Sequence, residues 1–129
     1  LKLIDEYNLR HLCVWKGWID DEEKLSLLNE CHALIIPSLW EGFGLPALEA
    51  MACGTPVIAS ERGALPEVMG NYGYLINPFN IQSIAFAMNA VINDKKCFDK
   101  ALKDGPSRAE SFNWSDTAKT IEKIIQEID

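Results

Sequence analysis

The sequence predicts an α/β fold, a parallel sheet with helices on both faces. Three observations predict it. Short apolar runs rich in β-branched residues recur, as in Ala33-Leu34-Ile35-Ile36 and Thr55-Pro56-Val57-Ile58-Ala59, the pattern of strands covered on both sides. Amphipathic stretches at helical spacing separate these runs. The order strand, helix, strand, helix then repeats, as expected of parallel strands joined by crossovers. The 129 residues suffice for one domain with a real core, and no internal repeat, low-complexity tract or linker divides them.

Residues 1 to 9 read as the end of a helix, with Leu3, Ile4 and Tyr7 on one face. His11 to Trp15 reads as a short buried strand that Gly17 ends. Asp20 offers an N-cap, with Glu23 at capping-box spacing. The helix it opens, about 21 to 31, has Leu25, Leu28 and Cys31 as its inner face. Ala33 to Ile36 is a central strand ended by Pro37.

Glu41 to Gly54 then reads as a turn followed by a short helix. Gly42 and Gly44 bracket Phe43, so the main chain is free to take conformations that a Cβ forbids. Pro46 suits the first helical turn, Leu45, Leu48 and Met51 recur at helical spacing, and Gly54 suits a left-handed stop. Thr55 to Ala59 is the next strand, with Pro56 tolerated at its start. After a turn at Ser60 to Gly63, Ala64 to Met69 is a short helical segment and Tyr72 to Ile76 one more strand. Asn80 caps a helix with Ile81, Ile84, Met88 and Val91 facing inward. Lys95 to Arg108 is helical but less periodic, with Gly105-Pro106 a candidate break. Asn113 and Asp116 open a last helix carrying Ala118, Ile121, Ile125 and Ile128 on one side.

The net charge is −7, and no basic cluster is longer than Lys95-Lys96. This argues against nucleic acid and against an anionic membrane surface as partners. No apolar run approaches the roughly 20 residues of a membrane span. The first residues lack the features of a signal peptide. They also lack an initiator Met, so the chain reads as a fragment or a trimmed product. Cys13, Cys31, Cys53 and Cys97 are scattered without a C-x-x-C pair and read as reduced core cysteines of a cytoplasmic protein. They and the isolated His11 and His32 give no metal site.

In parallel sheets ligands bind beyond the strand C-termini, which is where the glycine turn falls. The unpaired N–H groups of the helix start, at the positive end of its dipole, favour an anion such as a phosphate. Glu41 and Glu49 flank the turn with seven residues between them, so both can approach one ligand from different sides. Two readings stand on these residues alone: an anion-binding turn, or a tight turn with two solvated glutamates.

The stretch Pro37 to Ser60, with its E-x7-E pair, Gly42-Phe43-Gly44 turn and Met51-Ala52-Cys53-Gly54-Thr55-Pro56-Val57 strand lead, followed by Gly63-Ala64-Leu65-Pro66-Glu67-Val68, resembles the retaining nucleotide-sugar glycosyltransferases of the GT-B fold, family 4. The likeness runs from about Val14 to the Asn113-Trp114 helix. That family has two Rossmann-like domains around a cleft. The resemblance implies that residues 1–129 are most of the C-terminal, donor-binding domain. It implies too that the opening strands, whose Arg and Lys clamp the donor diphosphate, and the N-terminal acceptor domain are missing. On that reading the chain alone is expected to be inactive.

By this resemblance Glu41 lies beside the donor sugar, bonds its hydroxyls and steadies an oxocarbenium-like transition state. Gly42, Phe43, Gly44 and Leu45 form the turn that presents backbone N–H groups to the sugar and β-phosphate. Glu49 accepts from the two ribose hydroxyls. Trp18 and Asp20, after Gly17, fall where the family cradles the base, although Asp20 also serves as a cap and Trp18 also suits packing. Ser38 and Ser60 line the same edge. Trp15, Trp40, Trp114 and Glu67 are assigned to structure. No D-x-D pair lies near these loops, and neither metal nor cofactor is expected. The implied partner is a nucleotide-diphosphate sugar, and the implied reaction moves a hexose with retention. A nucleotide-sugar epimerase on the same fold, disfavoured by the lack of His in the turn, and a non-catalytic nucleotide-binding fragment remain as alternatives.

Overall fold

A computed structural model describes residues 2–128; the expectation for Leu1 lies outside the described residues. Three strands form the centre: β1 (Leu34–Ile36), β2 (Val57–Ser60) and β3 (Tyr74–Ile76), all parallel and in that spatial order. Leu34 lies opposite Val57, Ile36 opposite Ala59, and Ser60 opposite Ile76. Side chains alternate across a strand, so β1 and β2 each feed two cores, whereas β3 feeds one through Tyr74 and Ile76 and leaves Leu75 exposed. Leu34, Ile36, Val57 and Ala59 pack in one cluster with Leu28, Met51 and Leu65. Ile35, Ile58, Tyr74 and Ile76 pack in another with Ala87 and Val91. Helices thus cover both faces, which is why the strands read as nearly continuous apolar runs.

Helix α1 spans Lys2–Glu6, α2 Asp21–Glu30, α3 Leu45–Ala52, α4 Leu65–Met69, α5 Ile81–Asn93, α6 Lys95–Glu110 and α7 Trp114–Ile128. The expected N-caps form, although Glu23 does not close a box with Asp20, its carboxylate accepting instead from Lys16 Nζ at 2.7 Å. The Asp20 carboxylate accepts from Glu23 N at 2.8 Å, Asn80 Oδ1 from Ser83 N at 3.1 Å, and Asn113 Oδ1 from Asp116 N at 2.9 Å. None of the described helices is long and apolar enough to cross a membrane.

Several expectations are corrected. His11 to Trp15 forms no strand: Arg10–Leu12 is a 3-10 turn and the residues after it are irregular and exposed. A strand needs a neighbour to take its hydrogen bonds, and among the described residues β1 pairs with β2 alone. Leu25 is exposed because α2 is buried through Leu28 alone. In α5 the inward stripe is Ile84, Ala87 and Val91, not Ile81 or Met88; the small Ala87 lets the helix approach the sheet. The four cysteines are free, but Cys13 is exposed and the others only half-buried. Trp15, Trp40 and Trp114 do not pack; they sit on loops and on α7 and are exposed.

Helix α6 runs unbroken through Gly105-Pro106. Pro106 forfeits one helical hydrogen bond, but Gly105 presses α6 onto the end of α3. A Cβ there would meet Met51 O at 2.5 Å and Tyr72 Oη at 2.8 Å. Tyr72 completes this junction by donating to Thr55 O at 2.9 Å.

Candidate functional site

Because the strands are parallel, the segments after β1, β2 and β3 share one edge of the sheet. The first of these carries Glu41. Its Oε1 accepts from Ser38 Oγ at 2.8 Å, and the residue is half-buried. Its carbonyl accepts from Ala64 N at 3.1 Å, which ties the loops after β1 and β2 together. Gly63, at φ +60°, allows this approach: a Cβ there would stand 2.7 Å from Glu41 O and 2.9 Å from Glu41 N.

Gly44, at φ +98°, opens α3 without a side-chain cap. Pro46 has no N–H and Ala47 N donates to Gly44 O at 2.9 Å, so among the described residues the Leu45 amide is left without a side-chain partner at the positive end of the helix. A Cβ at Gly44 would press on Leu65 Cδ2 at 2.8 Å, whereas one at Gly42 would meet nothing within 4 Å. The ring of Phe43 stands edge-on to Phe112, centroids 5.8 Å apart. Phe43 and Leu45 turn their side chains to an apolar groove of about 790 Å³ shared with Leu48, Phe112, Trp114 and Ile121. Neither glutamate lines it.

Glu49 lies further along α3. Its carboxylate accepts from Lys24 Nζ of α2 at 2.9 Å, and Lys24 also pairs with Asp21 at 3.1 Å. The hydrogen bonds to Glu49 and then Asp21 push the Lys24 ammonium above its ordinary value. Asp20 connects to the same residue through the main chain, its carbonyl accepting from Lys24 N at 3.0 Å. Its carboxylate is occupied as a cap. Trp18 is 89% exposed on the loop before it.

The structure thus brings Glu41, Gly42, Phe43, Gly44 and Leu45 together at the sheet edge and Glu49 onto the helix they open. Asp20 is linked to Glu49 through Lys24, and Trp18 extends into solvent. Ser60 ends β2 fully buried, its Oγ without a partner among the described residues. Among the described residues no group of three His, Cys, Asp or Glu is placed to hold a metal. Sequence reasoning missed Lys24, whose contact depends on how α2 and α3 dock.

Comparison with known proteins supplies the context. The family model described as "Glycosyl transferases group 1" matches residues 1–108. The serotype-specific mannosyltransferase WbdA of Escherichia coli is 34% identical over 119 residues, 92% of this chain and 15% of that protein. The MMP α-(1→4)-mannosyltransferase of Mycolicibacterium hassiacum is 37% identical over 135 residues, 98% of this chain and 33% of that protein. Among solved structures, sucrose-phosphate synthase from Thermosynechococcus elongatus superimposes with a TM-score of 0.86 at 33% identity, over 98% of this chain and 33% of that one. The chain therefore spans a third or less of the length of these relatives.

Proposed function

The chain belongs to the glycosyl transferases group 1 family, and we propose that it is the donor-binding part of a retaining hexosyltransferase. The donor is a nucleoside diphosphate sugar, and the acceptor a glycan, lipid or other hydroxyl compound. The observation that carries this reading is the placement of Glu41 on the loop after β1, directly before the uncapped start of α3, with Glu49 on that same helix.

The parts fit the chemistry of such a donor. A carboxylate is an acceptor-only group with two oxygens, so Glu41 suits sugar hydroxyls and Glu49 a ribose diol. As the glycosidic bond breaks, electrons pass to the nucleoside diphosphate, and negative charge grows on the β-phosphate. The Leu45 amide and the positive end of α3 suit that charge without reorganising. A helix terminus supplies about 0.3–2 kcal/mol, so further cations must carry the rest. The mannosyltransferase names of two relatives and the GT-B architecture of the solved neighbour support a hexosyl donor.

Titration of the chain with UDP-glucose and GDP-mannose, followed by heteronuclear NMR, tests the reading. Shifts centred on residues 41 to 49 are expected with at least one donor. The absence of shifts at millimolar concentration rejects it.

A further inference from the structure

We propose that Arg62 is a specificity-determining residue that binds an oxyanion, a phosphate or carboxylate, on the substrate held at Glu41. This rests on the donor-site reading above. Acidic residues outnumber basic ones 19 to 12 in this chain, so an arginine is expected to find a carboxylate. Arg10 pairs with Asp5, and Arg108 donates to the carbonyls of Glu67 and Val68. Among the described residues Arg62 takes part in no ion pair and, unlike Arg10 and Arg108, in no side-chain hydrogen bond. All five of its N–H donors are unspent.

Its side chain is exposed and rests against one neighbour, the exposed ring of Phe79. The guanidinium carbon lies 5.8 Å from the ring centroid of Phe79, a cation–π contact. Phe79 belongs to a closed turn after β3: its N–H donates to Asn77 Oδ1 at 3.0 Å, and Asn80 N donates to Asn77 O at 3.0 Å. On its other side Arg62 adjoins Gly63, which is pressed on the main chain of Glu41. The loops after β2 and β3 therefore hold one unpaired cation on the edge that carries Glu41. No protein group takes the N–H fork of Arg62 among the described residues, and such a fork matches two oxygens of a phosphate or carboxylate.

The same chemistry has two sources, the diphosphate of the donor or an anionic group on the acceptor. Calorimetric titration of the wild-type chain, R62Q and R62K with UDP and, separately, with mannose 6-phosphate distinguishes them. R62Q is expected to weaken at least one probe about 10-fold or more, with R62K intermediate because it keeps the charge but not the fork. Loss confined to UDP assigns the diphosphate; loss confined to mannose 6-phosphate assigns an acceptor anion; loss on both shows that the site takes either. Equal affinity of wild type and R62Q for both probes overturns the proposal, and UDP binding in that case leaves the donor reading standing. If wild type binds neither probe at millimolar concentration, both readings fall.

Discussion

Gly63 lies so close to Glu41 that a Cβ on it would stand 2.7 Å from the Glu41 carbonyl oxygen. The contact is with main chain, which cannot swing aside, and φ of +60° already disfavours any L side chain. Gly63→Ala is therefore expected to cost roughly 1–3 kcal/mol. Gly42→Ala, whose Cβ would meet nothing within 4 Å, should stay within about 0.5 kcal/mol of wild type. Urea midpoints of the two variants check the contrast; equal stabilities would show that the loop after β2 is not locked to Glu41.

Tyr72 gives an alkaline signature. Burial pushes its phenol well above the ordinary value of 10, the nearby Cys97 and Asp104 adding to the shift. A raised folded value contributes stability that is whole below pH 10 and is lost as pH climbs toward the folded value. Tyr74 and Lys24 are shifted upward too, so the alkaline decline has more than one source. Tyr72→Phe should remove part of that decline. At neutral pH it should cost about 1–3 kcal/mol, because Thr55 O loses its donor in the core. Thermal melts at pH 7 and pH 10.5 separate the two effects. A variant with the wild-type alkaline slope would assign that slope to the other groups.

The fold class was legible because burial on both faces makes parallel strands read as apolar runs, and Leu34–Ile36 and Val57–Ser60 do so plainly. The turn and helix from Glu41 to Gly54 were legible because glycine and proline fix backbone geometry locally. What failed depended on docking. His11 to Trp15 is apolar enough for a strand but has no strand beside it. Ile81 and Met88 share helical spacing with Val91, yet Ala87 faces the sheet because a small residue permits close approach. The Lys24 to Glu49 pair joins residues 25 apart in sequence, and no local pattern announces it.

Cysteine accessibility distinguishes the loop thiol from those on the packed elements. Cys13 is exposed, while Cys31, Cys53 and Cys97 are half-buried. Burial pushes the Cys31 and Cys97 thiols up, which lowers their thiolate fraction near neutral pH. A colorimetric thiol reagent at pH 8 should therefore titrate one fast thiol, with Cys31 and Cys97 slower. Cys13→Ser should abolish the fast phase; if the phase persists, the loop before α2 is not the exposed segment described.

Glu49 is the residue for which the pairing within the chain and the proposed ligand compete. Its carboxylate is held by Lys24 at 2.9 Å, and both side chains are partly exposed, so water or a ligand hydroxyl can share it. Lys24 stays protonated beyond its ordinary value of 10.5. On the lysine's side the pair therefore persists at neutral pH and is lost as pH rises through that higher folded value. If Glu49 accepts from a ribose diol, Glu49→Gln should weaken UDP binding about 10-fold or more, since a charge-assisted acceptor is replaced by a neutral one. Lys24→Met frees the carboxylate and should leave UDP affinity at or above wild type. Calorimetric titration of the three proteins decides the matter. Wild-type affinity in Glu49→Gln reduces Glu49 to a latch between α2 and α3. A loss in Lys24→Met equal to that in Glu49→Gln makes the lysine the group that holds the carboxylate in its binding position.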